Sequence, residues 1–324
     1  MGLLKFLGKR LAQIVFSVII IVIITYCLMH AAPGNFFDIQ RFQSQSNVAS
    51  FGSHMTQADI QMLRKGFEEK YGLDKPLWQQ IAVYLWEAAR FKFGPSFSNP
   101  SMNIEDLIKQ KFPITLALGS MAMVIAIAIG IPLGILAALR RNTLLDYGAN
   151  FTAMIGQVIP SYVIAVFFVL LFSISLHWFP TSGWGKLKQM VLPVVAVALG
   201  PMGVIARFTR VSLLDTLSQD YVRTAYAKGG RERTVIVKHA LRNSLIPIVT
   251  VIGPNLAYIL AGSAVFIEAY FRVPGMGQLF VNAAGWRDYP LIVTSTLVLS
   301  LSIMLLNLIV DLVYALLDPR IKLE

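Results

Sequence analysis

Charged residues are scarce in this chain. Asp, Glu, Lys and Arg make up 14% of its 324 residues, whereas a soluble domain carries about 25%. Hydrophobic residues make up 56%, and the mean hydropathy is +0.64. Several apolar runs reach about 20 residues, the length that a helix needs to cross a bilayer. The composition therefore predicts an all-α integral membrane protein.

Cysteines, histidine clusters and catalytic motifs are almost absent. Cys27 is the single cysteine, so no disulfide can form within the chain. The sequence contains no G-x-x-x-x-G-K-[ST] phosphate-binding loop and no H-E-x-x-H zinc motif, and its four histidines are scattered. We therefore predict no catalytic residue, no metal site and no cofactor on this chain. An enzyme is the least favoured class.

The net charge of +11 does not indicate a nucleic-acid partner. Cytoplasmic loops of membrane proteins are rich in Lys and Arg, and the polar segments contain no aromatic–basic recognition module. The expected partner of so apolar a chain is the lipid bilayer.

Six apolar segments are predicted to cross the bilayer, at about Leu11–Ala32, Pro113–Leu139, Phe151–Trp178, Met190–Ala206, Ile246–Phe271 and Leu291–Leu317. The fourth is the least regular, because prolines and glycines interrupt it. Polar segments on the side of the two termini carry 15 Lys and Arg residues, and the short loops on the other side carry four. The positive-inside rule therefore predicts that both termini are cytoplasmic.

The segment between the first two spans, residues 33–112, is extracytoplasmic in this topology. The apolar residues Ile60, Leu63, Phe67 and Tyr71 recur every three or four positions, which predicts an amphipathic helix. The sequence GLDKPLW then indicates a turn into a second helix, and a Gln/Ser-rich stretch near 43–53 is expected to be flexible.

The predicted topology divides the chain into four parts. These are a cytoplasmic leader with the first span (1–32), the extracytoplasmic segment (33–112), a membrane core (113–317) that contains a long cytoplasmic loop at 207–244, and a cytoplasmic tail (318–324).

The interiors of the predicted spans lack charged residues. Their polar side chains are neutral, and the candidates for lining a pore are Gln157, Asn255, Tyr258 and Asn307. Ion-coupled carriers use ionisable groups or broken helices near the bilayer midplane. If this chain moves a solute, the energy is therefore expected to come from another subunit. An autonomous channel or carrier is the alternative.

The long loop contains the sequence DYVRTAYAKGGRERTVIVKHALRNSLIP, from Asp220 to Pro247. Asp220 is predicted to cap a helix that begins at Tyr221, and Gly229 and Gly230 allow a sharp bend. A second helical pattern follows at Thr234–Leu245. A helix, an elbow and a second helix suit docking into a partner protein. The alternative is a basic cytoplasmic loop with no docking role.

This loop resembles one in a known family. DYVRTAYAKG followed by LRNSLIP is similar to the cytoplasmic loop of permease subunits in binding-protein-dependent ABC importers, in the oligopeptide/dipeptide branch, although the family's Glu is replaced by Arg223. Further motifs of the branch occur in order along the chain: APGN (32–35), YGLDKPLWQQ (71–80), PITLALG (113–119), ARFTR (206–210), VPGMGQL (273–279), RDYP (287–290) and NLIVDLVYALLDPRI (307–321).

The resemblance implies a six-helix type I ABC importer permease fold in a bacterial cytoplasmic membrane. It implies four kinds of partner: a second homologous permease, two ATPase subunits that bind ATP and Mg, and an extracytoplasmic solute-binding protein. Peptides are the implied substrate. Other small solutes, such as nickel, glutathione or sugars, are the alternative within the family.

The resemblance also implies roles for particular residues. It assigns contact with an ATPase to a short coupling helix and its elbow, comprising Asp220, Tyr221, Arg223, Thr224, Ala225, Lys228 and Gly229. It makes Pro274, Gly275 and Gly277 candidates for an extracytoplasmic gate or for contact with the binding protein.

Overall fold

The structure, a computed structural model, describes residues 2–32, 57–72 and 74–317. The stretch expected to be flexible near 43–53 and the tail at 318–324 lie outside the described residues. The chain divides into two compact units. One comprises Met1–Ile114 and Pro274–Met304, and the other comprises Thr115–Val273 and Leu305–Glu324.

The described residues form helices, with one isolated β-bridge between Pro95 and Asn103. The helices are α1 (Gly2–Ala31), α2 (Gln57–Tyr71), α3 (Leu77–Ala88), α4 (Ile104–Leu139), α5 (Leu144–Val158), α6 (Ser161–Phe168), α7 (Leu187–Leu217), α8 (Asp220–Ala227), α9 (Glu232–Thr234), α10 (Arg242–Tyr258), α11 (Ala264–Phe271), α12 (Met276–Trp286) and α13 (Tyr289–Leu317). Wider π-helical turns follow α6, α9 and α10, at Val169–Ser175, Val235–Leu241 and Ile259–Ser263.

Within the described part of the chain, four helices are long and apolar enough to cross a membrane. They contain Lys5–Ala31, Ile104–Leu139, Leu187–Leu217 and Tyr289–Leu312. Two bent pairs, Leu144–Val158 with Ser161–Ser175 and Glu232–Leu245 with Pro247–Tyr258, bring the number to six if each pair is one span. The predicted all-α membrane architecture is therefore confirmed.

The third predicted span is not one continuous helix. The chain bends by 108° between α5 and the helix that begins at Ser161. Pro160 causes the break, because proline has no N–H and forces the preceding residue out of the helical region. Ile159 accordingly has extended backbone angles of φ −85° and ψ 124°.

The fourth predicted span is more regular than its composition indicates. Helix α7 continues through Pro193 and Pro201. Its glycines are sites of helix contact, since a Cβ on Gly203 would overlap the carbonyl oxygen of Ala153 in α5. Small residues at such positions let membrane helices approach closely, and this packing keeps α7 helical despite its prolines.

The same kind of contact joins α7 to α4. Gly130 and Gly134 lie one helical turn apart on α4, and a Cβ on Gly130 would lie 2.8 Å from the Met202 carbonyl oxygen in α7. A Cβ on Gly134 would overlap the carbonyl oxygen of Ala206. Helix α7 is therefore held against both α4 and α5 at nearly backbone-to-backbone distance.

The two helices predicted between the first two spans are present in the first unit as α2 and α3. Tyr84 of α3 donates a hydrogen bond to Thr294 Oγ1 of α13 at 3.1 Å. Tyr71, at the end of α2, donates to the carbonyl oxygens of Phe93 and Pro95. Burial, assisted by the nearby carboxylate of Asp288, raises the pKa of Tyr71, so its phenol stays protonated and remains a donor.

A buried carboxylate attaches the loop after α3 to the last helix. Asp288 is fully buried, and its Oδ2 accepts hydrogen bonds from Ser96 Oγ at 2.5 Å and from the Ser98 N–H and Oγ at 2.8 Å. Its Oδ1 accepts from the Leu291 N–H at 3.2 Å. Asp288 therefore caps α13 and fixes the loop at the same time.

Candidate functional site

The short helix α8 has one buried face and a broad exposed surface. Val222 is 1% exposed and packs inward, whereas Tyr221, Arg223 and Thr224 are exposed. Arg223 lies 3.9 Å from the Asp220 carboxylate, and both side chains are in solvent. Such a pair contributes little to stability, so these side chains are available for contact with another protein.

A helix-termination motif forms the elbow after α8. The Gly229 N–H donates to the Tyr226 carbonyl at 2.9 Å, and the Gly230 N–H donates to the Ala225 carbonyl at 3.1 Å. These two bonds define a Schellman motif. Gly229 has φ +78°, in the left-handed region that glycine adopts without strain. The predicted break at the two glycines is confirmed.

The predicted cap at Asp220 is wrong by one residue. Asp220 is the first helical residue, and Gln219 takes the N-cap position with no hydrogen bond from its side chain. The Asp220 carboxylate is 98% exposed. It still lies in the first turn, where a negative charge is favourable to the helix dipole.

A small core and two hydrogen bonds hold the residues that support α8. Ala138, Leu213 and Ala240 are buried together. Ser212 Oγ donates to the Ser244 carbonyl at 2.9 Å, and Asn243 Nδ2 donates to the Tyr221 hydroxyl at 3.0 Å. Helix α8 is thus an exposed projection on a well-packed support.

Three of the four candidate pore-lining residues meet at one cavity. Gln157, Asn255 and Tyr258 line a space of ≈ 450 Å³ at the break between α5 and α6. The rest of its wall carries no charged side chain and consists of Gly156, Val158, Ile159, Pro160, Ser161, Val197, Gly200, Pro201 and Val204. The fourth candidate, Asn307, is exposed and does not line this cavity.

The three candidate side chains at the cavity come from two helices, α5 and α10. Gln157 lies in the last turn of α5, and Pro160 turns the chain away two residues after the last helical residue, Val158. In α10, Tyr258 is 63% exposed, and the amide of Asn255 donates to the Val251 carbonyl at 2.8 Å. Neutral amides and a hydroxyl can bind a polar solute without selecting for its charge.

Pro274 and Gly275 lie in the turn before α12, and Gly277 lies in the first turn of α12 itself. Gly275 is the N-cap of α12, and both glycines are buried, whereas Pro274 is half-buried. Among the residues that the structure describes, no group of three or more His, Cys, Asp or Glu side chains could hold a metal ion.

Sequence reasoning did not identify the side chains that support these sites. Val222 is the only aliphatic β-branched residue in DYVRTAYA, and this was the signal for its buried role. Asp146 of α5 and Arg210 of α7 form an ion pair with a nitrogen–oxygen distance of 2.6 Å. The signal for that pair was a carboxylate next to an apolar segment, which usually has a partner.

The long apolar helices define a multi-pass membrane protein, which has an uncharged cavity and an exposed hinged helix. Residues 130–323 match the family described as "Binding-protein-dependent transport system inner membrane component". The chain is 41% identical to the dipeptide transport system permease protein DppB of Bacillus subtilis (strain 168), over 99% of this chain and 98% of that protein. It is 38% identical to the oligopeptide transport system permease protein OppB of Escherichia coli (strain K12), over 99% and 100%.

Solved structures show the same fold at low sequence identity. The inward-facing MetNI methionine ABC transporter matches with a TM-score of 0.56 at 19% identity, over 65% of this chain and 96% of that one. An amino acid ABC transporter crystallised with histidines matches with a TM-score of 0.53 at 11% identity, over 64% and 93%.

The chain belongs to the family of binding-protein-dependent transport system inner membrane components. It is accordingly a permease subunit of an ABC importer and not an enzyme, and ATP is bound and hydrolysed by a separate subunit. Its partners include an ATPase and a solute-binding protein. The family membership that the loop motifs predict is confirmed.

Proposed function

We propose that this chain forms half of the translocation pathway of an ATP-driven importer for dipeptides or oligopeptides. A peptide substrate is supported by similarity along the whole chain to a dipeptide permease and an oligopeptide permease, at 41% and 38% identity. In this proposal a second homologous permease forms the other half, two ATPases bind the cytoplasmic side, and a binding protein delivers the peptide.

We propose that α8 and its elbow are the ATPase-coupling element. Asp220, Tyr221, Arg223, Thr224, Ala225 and Lys228 provide the contact surface, and Gly229 sets its angle. The exposure of α8, with Val222 as its buried anchor, supports this role. Closure of the ATPases would move α8 as a rigid body and alternate the pathway between outward- and inward-facing states.

We propose that the cavity lined by Gln157, Asn255 and Tyr258 is part of the translocation pathway. Peptides differ in side-chain charge but share amide groups, and a lining of neutral amides and a hydroxyl fits what they share. For the candidates Pro274, Gly275 and Gly277 at the start of α12, burial of the two glycines favours a gate over contact with the binding protein.

We propose a bacterial cytoplasmic membrane location with both termini in the cytoplasm. The domain plan follows from this topology: the leader and first span at 1–32, the extracytoplasmic segment at 33–112, the permease core at 113–317 with the coupling loop at 207–244, and the tail at 318–324. The excess of Lys and Arg in the loops assigned to the cytoplasm supports it. Reporter fusions test this topology. A fusion within residues 33–112 is expected to report an extracytoplasmic position, and a fusion after the tail is expected to report a cytoplasmic one.

The substrate is tested by uptake into proteoliposomes that contain the complete importer and its binding protein. We expect ATP-dependent uptake of labelled dipeptides or oligopeptides, and competition by unlabelled peptides. Competition by nickel, glutathione or a sugar alone would contradict the peptide assignment. Uptake by the purified chain without any ATPase would contradict the importer itself.

A further inference from the structure

Asp146 is a buried carboxylate with a complete set of partners. It lies in the first turn of α5 and is 2% exposed. Its Oδ1 accepts from Arg210 Nε at 2.6 Å and from Asn150 Nδ2 at 2.7 Å. Its Oδ2 accepts from Arg210 Nη2 at 2.7 Å and from the Asn142 N–H at 2.9 Å. The two parallel bonds to one guanidinium fix the direction of the contact as well as its distance.

Stability is a weak reason for such a pair. Removing two charges from water is costly, and apolar residues of similar volume often replace a buried ion pair without loss of stability. A two-pronged contact between α5 and α7 does, however, fix the register and angle of one helix against the other.

The pair lies between the proposed coupling element and the proposed pathway. Arg210 belongs to α7, which ends at Leu217 just before α8. Asp146 belongs to α5, whose last turn supplies Gln157 to the cavity wall. At that end of α5, a Cβ on Gly156 would overlap the carbonyl oxygen of Leu199 in α7. Helix α5 is thus attached to α7 at its start by the ion pair and at its end by a glycine contact.

We propose that Asp146 and Arg210 are positioning residues that make α5 and α7 move as one body. Movement of α8 then reaches the cavity wall at Gln157, because α7 takes α5 with it. The inference rests on the proposed function, since it takes α8 as the element that the ATPase moves. Asp146 and Arg210 bind each other, and this contact couples the motor to the pathway.

The test reports movement of the cavity wall itself. Val158 is 72% exposed at the end of α5, and Cys27 is the only native cysteine. A Cys27→Ser, Val158→Cys chain can therefore be labelled with one environment-sensitive probe and assembled into the complete importer. We expect ATP to change the probe signal, and Arg210→Met to reduce that change about three- to tenfold while ATP binding is retained.

Arg207→Met is the matched control. Arg207 lies one turn earlier on α7 and is exposed, and no ion pair to it is found among the described residues. Arg207→Met is expected to leave the signal at the wild-type value.

The double variant Asp146→Asn, Arg210→Met is expected to give the same signal as either single variant, because each substitution removes the same contact. If Arg210→Met fails to assemble, Arg210→Lys decides the matter, since it keeps the charge and loses the two-pronged geometry.

An ATP-dependent signal in Arg210→Met as large as in Arg207→Met would overturn the proposal. Additive losses in the double variant would also overturn it. Peptide uptake is measured separately on the unlabelled wild-type importer. Absence of uptake with an intact probe response would contradict the peptide substrate and leave the coupling role of the ion pair standing.

Discussion

Gly229 is the residue where backbone geometry and proposed function meet most directly. Its φ of +78° is required by the Schellman motif that ends α8, and a Cβ there would meet nothing within 4 Å. A substitution would therefore act through backbone strain and not through a clash. An L-residue with a branched side chain costs about 1–2 kcal/mol in this conformation.

We predict that Gly229→Val reduces ATP-driven uptake strongly without removing the chain from the membrane. Gly229→Asn is the matched control, because Asn tolerates left-handed backbone angles far better than Val. The measurement is uptake normalised to the amount of chain in the membrane. Equal uptake by the Val variant and the wild type would show that the elbow has no role in coupling.

Gln157 and Asn307 allow a similar comparison within the proposed pathway. Both are exposed neutral amides in apolar helices, but only Gln157 lines the cavity. We predict that Gln157→Leu lowers the maximal rate of peptide uptake several-fold, whereas Asn307→Leu has little effect. Peptide-stimulated ATP hydrolysis should continue in both. A larger effect at Asn307 would place the pathway elsewhere.

At the residue scale, the sequence predicted the backbone bend after α8 but not the N-cap of α8 or the partner of Asp146. The glycine pair after AYAK was sufficient to predict the elbow, because few other residues adopt a positive φ. The N-cap was assigned to Asp220 in place of Gln219, because capping preference favours Asp and a sequence locates a helix end only to within one or two residues. A carboxylate beside an apolar segment indicates that Asp146 has a partner, but Arg210 is 64 residues away in the chain, and no local pattern identifies it as that partner.

At the scale of helices, close contact between α5 and α7 holds the second unit together. A Cβ on Gly203 would overlap the Ala153 carbonyl oxygen, and one on Gly156 would overlap the Leu199 carbonyl oxygen. The obstacles are backbone atoms, which cannot move aside as a flexible side chain can. Even one added methyl group must therefore separate the two helices.

We predict that Gly203→Ala destabilises the protein by about 1–3 kcal/mol through this separation. Gly148→Ala is the control on α5, because a Cβ there meets nothing within 4 Å. Alanine has the higher helix propensity, so this second change should be neutral or stabilising by up to about 1 kcal/mol. The thermal midpoint of the purified complex in mild detergent measures both. A Gly203→Ala midpoint equal to that of Gly148→Ala would contradict the packing described for α5 and α7.

The helices themselves were largely predictable, because apolar runs of bilayer length and an amphipathic period of three or four residues are local signals. The break at Pro160 could not be separated from an ordinary proline kink in advance. Pro193 and Pro201 in α7 carry the same sequence signal and leave the helix continuous. Tertiary packing against neighbouring helices decides between these outcomes, and the sequence does not display it.

At the scale of the whole molecule, the chain is one part of a larger machine. It has an exposed helix that we propose as the docking site of a motor, and a cavity lined by uncharged side chains that suits a polar solute. Family membership supplies the separate ATPase and the binding protein. The claim that unites these features is that the ATPase holds α8 and moves the pathway through it.

Co-purification tests that claim most directly. The tagged chain is extracted from its native membrane in mild detergent, and the proteins recovered with it are identified and quantified. We expect a second permease and two ATPase subunits per complex, with loss of the ATPases alone when Tyr221→Ala and Gly229→Val are combined. Full recovery of the ATPases by that double variant would contradict docking through α8.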